Sequence, residues 1–184
     1  MDTKQRDQSS KILFEQYLQL DIEAEWIGLK RCPHRNWFCT PIGATIIGWE
    51  NAIHYCFIDK FGNVVFAVNP ETCCQYYVYP IAYHFYDFLS MILTVGHAAT
   101  LEQTILWSKE EYYAFESDPR NVKYCMRNEV QSILNLIKTQ LHIMPNKDPF
   151  AYIKNIQSSF DYSQIPFSKD FYENYLPLPT PPCK

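Results

Sequence analysis

IHYCFIDKFGNVVFAVN, residues 53–69, decides the fold. Two runs rich in β-branched and aromatic residues, 53–59 and 64–69, flank Lys60-Phe61-Gly62-Asn63. Such side chains pack well on a pleated surface, so both runs are expected to be strands. Gly62 can adopt the positive φ that a short turn demands, which makes the pair an antiparallel hairpin. Residues 64–68 are apolar at both parities, so this second strand is expected to be covered on both faces, with helices supplying one cover.

Working outward, residues 42–49 read as a strand before the hairpin, and residues 76–79 as a shorter one after the Asn69-Pro70 turn signal. Beyond Pro80 the apolar period lengthens from two to about 3.6, with Phe85, Phe88, Leu89 and Ile92 on one stripe and Gly96 as the C-terminal cap. A second helix opens at His97 or Thr100 and runs to about Trp107. Ser108-Lys-Glu-Glu111 forms a capping box for a third. Asp118-Pro119 opens a fourth, expected to be the longest, because Val122, Met126, Val130, Ile133, Ile137 and Leu141 lie on one stripe. Asp148-Pro149 starts a short helix reaching about Gln157.

Upstream, Ile12, Leu13, Tyr17 and Leu20 recur at helical spacing from Ser9 or Ser10, and residues 32–40 form an irregular connection. The order is that of an α+β protein: an N-terminal helix, a mainly antiparallel sheet of about four or more strands, then several packed helices. We expect a single α+β domain over 1–175 and a proline-rich tail over 176–184 that favours polyproline II.

Composition narrows the function. Sixteen Lys+Arg against twenty Asp+Glu give a net charge of −4, which offers no footprint for a phosphate backbone. Seven cysteines, an odd number with several in apolar runs, point to a reducing compartment and a cytoplasmic protein. The N-terminal ten residues carry no signal-peptide pattern, and no apolar stretch is long enough for a membrane span.

Few residues invite chemistry. Cys32, His34 and Cys39, with Cys73 and Cys74 from a distant loop, are zinc-ligand types, but their spacing is not that of a common finger, and they read as loop residues. His54, Cys56 and Asp59 could share a sheet face as base, nucleophile and orienter, yet a buried histidine is the commoner occupant of such a strand. Glu23/Glu25 lie near a helix end and Glu110/Glu111 in a helix's first turn, so both carboxylate pairs have structural explanations. Phosphate-loop, dinucleotide, hydrolase and zinc-protease signatures are absent, and no cofactor or metal is expected. Fourteen tyrosines, clustered at Tyr76, Tyr77 and Tyr79 and at Tyr112 and Tyr113, supply the amphipathic rings that protein interfaces use. On a strand, Tyr77 and Tyr79 would turn one way and Tyr76 the other.

Gly48-Trp-Glu-Asn51, His54-Tyr-Cys-Phe-Ile-Asp59, Phe61-Gly-Asn-Val-Val-Phe-Ala-Val68 and Tyr83-His-Phe-Tyr-Asp-Phe-Leu89 together resemble the SUKH superfamily over about residues 40–116. That superfamily includes fungal cell-wall-synthesis regulators and many bacterial immunity proteins. The resemblance implies an α+β fold without general catalytic residues. It also implies a protein that neutralises a cognate toxin, often a nuclease. An acidic chain is compatible with covering a basic enzyme.

The expected function is therefore protein binding without catalysis, through an exposed face or edge of the sheet and its adjoining loops. Trp37, Trp49, Glu50, Asp59, Glu71, Tyr77 and Tyr79 are the candidate partner contacts. The rival readings are a regulatory scaffold using the proline-rich tail and an enzyme using His54, Cys56 and Asp59.

Overall fold

The computed structural model describes residues 10–31, 36–72 and 75–175. Helix α1 (Ser10–Leu18) and a 3₁₀ turn (Ala24–Ile27) lead to strands β1 (Ala44–Glu50), β2 (Ile53–Ile58), β3 (Val65–Val68) and β4 (Val78–Ala82). Helices α2 (Phe85–Val95), α3 (Ala98–Gln103), α4 (Lys109–Glu116), α5 (Pro119–Cys125), α6 (Asn128–Gln140), α7 (Pro149–Ser159) and α8 (Lys169–Asn174) follow. The strands pair antiparallel in the order β1-β2-β3-β4, each with its sequence neighbour. This is the α+β class that the alternating patterns predict. No helix among the described residues is long and apolar enough to cross a membrane.

The sheet is buried on both sides, and strand alternation decides which residue goes where. Tyr55, Phe57, Val65 and Ala67 face a large core built with α1, α2, α6 and α7. There Phe85 is fully buried, edge-on to Phe14, Tyr17 and Phe57 at 5.4–5.9 Å. Cys56, Ile58, Phe66, Val68 and Val78 face a smaller core, closed by Cys39, Phe38, Phe160, Ile165 and Phe171. The second cover is thus an aromatic strap of loops and one short helix. Ser10 ties the parts together: its Oγ donates to Asn63 O and accepts from Phe85 N, so it caps the start of α2 from another helix.

Three expectations need correction. The long helix is two: Arg127 adopts an extended conformation (φ −62, ψ 143) between α5 and α6. Gln131 Nε2 donates to Cys125 O at the end of α5, satisfying a terminal carbonyl, and of the six residues of the expected stripe Val130, Ile133, Ile137 and Leu141 are buried. Met126 is 70% exposed. The fourth strand starts at Val78, so the alternation expected over 76–79 does not hold. Tyr76 N donates to Tyr79 Oη, and both rings pack with that of Tyr162, whereas Tyr77 turns to Phe38 and Phe171. Finally, Asp59 leaves β2 for a 3₁₀ turn (Asp59–Phe61) and does not share a face with His54 and Cys56. The tail over 176–184 lies outside the described residues.

Candidate functional site

A single irregularity in β1 creates the most chemically distinctive concavity. Ala44 and Ile46 pair with Ile58 and Cys56, but the register shifts between Ile46 and Gly48, so that Trp49 pairs with His54 and Glu50 with Ile53. Ile47 is the extra residue of a β-bulge, and a bulge reverses the facing of everything beyond it. Trp49 therefore joins His54 on the strap side, and Glu50 is delivered to the helical side. Gly48 is required there: a Cβ would come within 2.9 Å of Leu29, whose neighbour Lys30 bridges to Trp49 and covers this sheet edge.

Glu50 meets α3, α4 and α5 at a cleft of about 450 Å³, walled by His97, Thr100, Gln103, Phe115, Asp118, Arg120 and Tyr124. Burial holds the Glu50 carboxyl above its ordinary range. Its Oε1 accepts from Asn51 Nδ2 at 3.0 Å, and its Oε2 is 3.9 Å from His97 Nε2. His97 opens α3, and its Nδ1 accepts the Ala99 N–H. That nitrogen is therefore unprotonated. Burial lowers the imidazole to about 4, so His97 is neutral near pH 7 and brings no cation to Glu50. The imidazole is held from behind by Gly28 (φ +72), where a Cβ would lie 2.6 Å from the ring.

Two further acidic groups, outside the cleft lining, are buried in the neighbouring core. Glu102 is buried, and burial raises its carboxyl despite donors from Asn69 and Gln103. The Tyr55 hydroxyl is fully buried without a hydrogen-bond partner. Burial raises it well above 10, and the charges of Glu102 and Glu50 raise it further. At the rim Arg120 is held by Asp118 through Nε–Oδ1 (3.1 Å) and Nη2–Oδ2 (2.8 Å), which keeps that carboxylate at about 2. Arg127 lies over the rings of Trp26 and Tyr124 at 5.7 and 5.1 Å. The Tyr124 hydroxyl donates to Trp26 O. Among the described residues no Ser, Thr or Cys side chain is hydrogen-bonded to the side chain of His97 or Glu50. The chemistry on offer is charge, stacking and hydrogen bonding.

The other candidates are scattered. Trp49 is 8% exposed and packs against Trp37 and His54 at 5.8 and 4.8 Å, so it belongs to the interior and not to an open sheet face. His54 and Cys56 are likewise fully buried, and burial drives the Cys56 thiol far up, which removes its nucleophilic form. Asp59 makes an exposed ion pair with Lys11 at 3.3 Å. Glu71 is exposed in the β3–β4 loop, with its N–H bonded to Asn69 Oδ1. Tyr77, with Tyr76, Tyr162, Ile165 and Phe171, lines a second, mainly apolar cavity of about 250 Å³. Tyr79 borders the same aromatic group through Tyr76 and Tyr162.

Among the described residues no group of three or more His, Cys, Asp or Glu could hold a metal ion. Cys32, His34, Cys73 and Cys74 lie outside them, while Cys39 is buried, its thiol pushed up to about 12 by burial. Of the seven candidate contacts only Glu50 enters the acidic cleft. His97, Phe115 and Tyr124 went unnoticed as a group. Comparison with family models, with curated proteins and with solved structures finds no match for this chain.

Proposed function

We propose that this chain is a non-catalytic protein-binding domain of the SUKH immunity type, which docks a cognate toxin enzyme and neutralises it. The observation that carries the reading is the division of its polar groups. The base and nucleophile candidates, His54 and Cys56, are locked in the core. The accessible concavity instead combines desolvated acid with the rings of His97, Phe115 and Tyr124. Aromatic rings and partly buried charge are what interface hot spots are made of. Acid at such a surface favours encounter with a basic enzyme. The resemblance implies an α+β fold, and the helix, four-strand meander and trailing helices are of that class.

The test is capture of the adjacent gene's product by tagged full-length chain, followed by assay of that product. Support is a stoichiometric complex in which the bound enzyme loses its activity. An enzyme that stays fully active in the complex, or an adjacent product that does not bind, overturns the immunity reading.

A further inference from the structure

We infer that the cleft between Glu50, His97, Phe115 and Tyr124 is a receptor for a guanidinium group, namely an arginine side chain presented by the partner. This rests on the protein-binding reading above and names the chemistry of its contact.

Two independent observations converge. First, the Glu50 carboxylate is partly removed from water, yet among the described residues no Lys or Arg is paired with it. Its neighbour His97 is held neutral by the Ala99 N–H bond and by burial, and neither Arg120 nor Arg127 forms an ion pair with it. A desolvated carboxylate without a counter-charge gains most from a cation that brings its own donors. Second, three of the lining side chains, His97, Phe115 and Tyr124, are flat rings. A planar, weakly hydrated guanidinium stacks on such faces, whereas an ammonium, compact and strongly hydrated, does so less well. Arg127 over Tyr124 is an example of that stacking within the chain.

The chain's own guanidiniums leave the place open. Arg120 is held through two bonds to Asp118, and Arg127 lies over the rings of Trp26 and Tyr124 and not beside Glu50. The floor beside Thr100 and Gln103 remains accessible within the 450 Å³ cleft.

The experiment titrates full-length chain with N-acetyl-argininamide and, separately, N-acetyl-lysinamide, following the His97 and Tyr124 resonances by NMR. The expected result is a saturable response to the arginine probe, weakened at least tenfold by Glu50→Gln and also weakened by Phe115→Leu. Glu173→Gln, on α8 and paired with Lys169, should leave it unchanged. No saturable response, equal binding to Glu50→Gln, or equal affinity for the lysine probe overturns the inference. Capture of the partner separates the two claims. A complex that survives Glu50→Gln at full affinity removes the arginine contact and leaves protein binding standing. A probe response without any inhibited partner keeps the guanidinium site and removes the immunity reading.

Discussion

The two faces of the sheet are buried by different means. One is covered by α1, α2, α6 and α7, whose apolar stripes interdigitate with Tyr55, Phe57, Val65 and Ala67. The other is covered by a strap in which Phe38, Phe167, Phe171 and Tyr175 stack on one another, while Phe160 packs on Phe61, Phe66 and Tyr162. Regular helices fix a face by periodic packing, whereas a strap relies on a few large rings. The same β2 and β3 backbone serves both, so the comparison isolates what the cover contributes.

Phe85→Ala, in the helical core, should have the largest effect, a loss of about 3–5 kcal/mol in urea unfolding, because its cavity is fixed by two helices and a strand. A loss below about 1 kcal/mol would end the picture of a rigid helical face. Phe171→Ala, in the strap, should lose less, about 2–3 kcal/mol, because loops can partly close over the space. Hydrogen exchange should then rise over 160–175 and stay unchanged in α2. The double variant should lose the sum of the two within roughly 0.5 kcal/mol, and a larger departure would show that the faces communicate through the strands.

Smaller effects sharpen the contrast at the helical rim. Burial raises the Glu116 carboxyl to about 7 from 4.5, and its Oε1 has no hydrogen-bond partner. A folded-state value above the unfolded one means that stability is fully present below about 4.5 and is lost as pH rises through about 7. Glu116→Gln should therefore stabilise by about 1–2 kcal/mol at pH 8, after allowance for partial solvent screening, and by little at pH 4. Equal effects at both values would refute the assignment. Ser108→Ala breaks the capping box of α4, in which Ser108 Oγ accepts from Glu111 N and Glu111 Oε2 from Ser108 N. It should cost about 1 kcal/mol, read as a lower melting temperature with the same fold.

The helical face was largely legible in the sequence, because its signals are local: the Phe85–Ile92 stripe, the Gly96 cap, the Ser108 box and both Asp-Pro starts occur where expected. The 64–68 run also announced that two covers were needed, but not that residues 160–171 would be one of them. Phe160, Ile165, Phe167 and Phe171 follow neither period and carry meaning only once the strands are placed. The cleft was nearly invisible for a related reason. Glu50, His97, Phe115 and Tyr124 come from four elements, and Glu50 reaches them through a bulge at Ile47 that simple alternation does not contain. The merged α5–α6 helix failed where a single extended residue, Arg127, resets the stripe.

The strap has a consequence in time as well as in space. A ribosome delivers the meander first, and neighbouring strands can pair soon after Ala82 emerges, since every connection is local. Phe160 follows seventy-eight residues later (160 − 82 = 78), which at synthesis rates of about 5–20 residues per second is a wait of roughly 4–16 seconds. Throughout it Cys56, Phe66, Val68 and Val78 present a greasy sheet surface to the cell. The opposite face begins to be covered as soon as α2 follows the meander, so the strap face is the last to close, and the chain's final segment completes it.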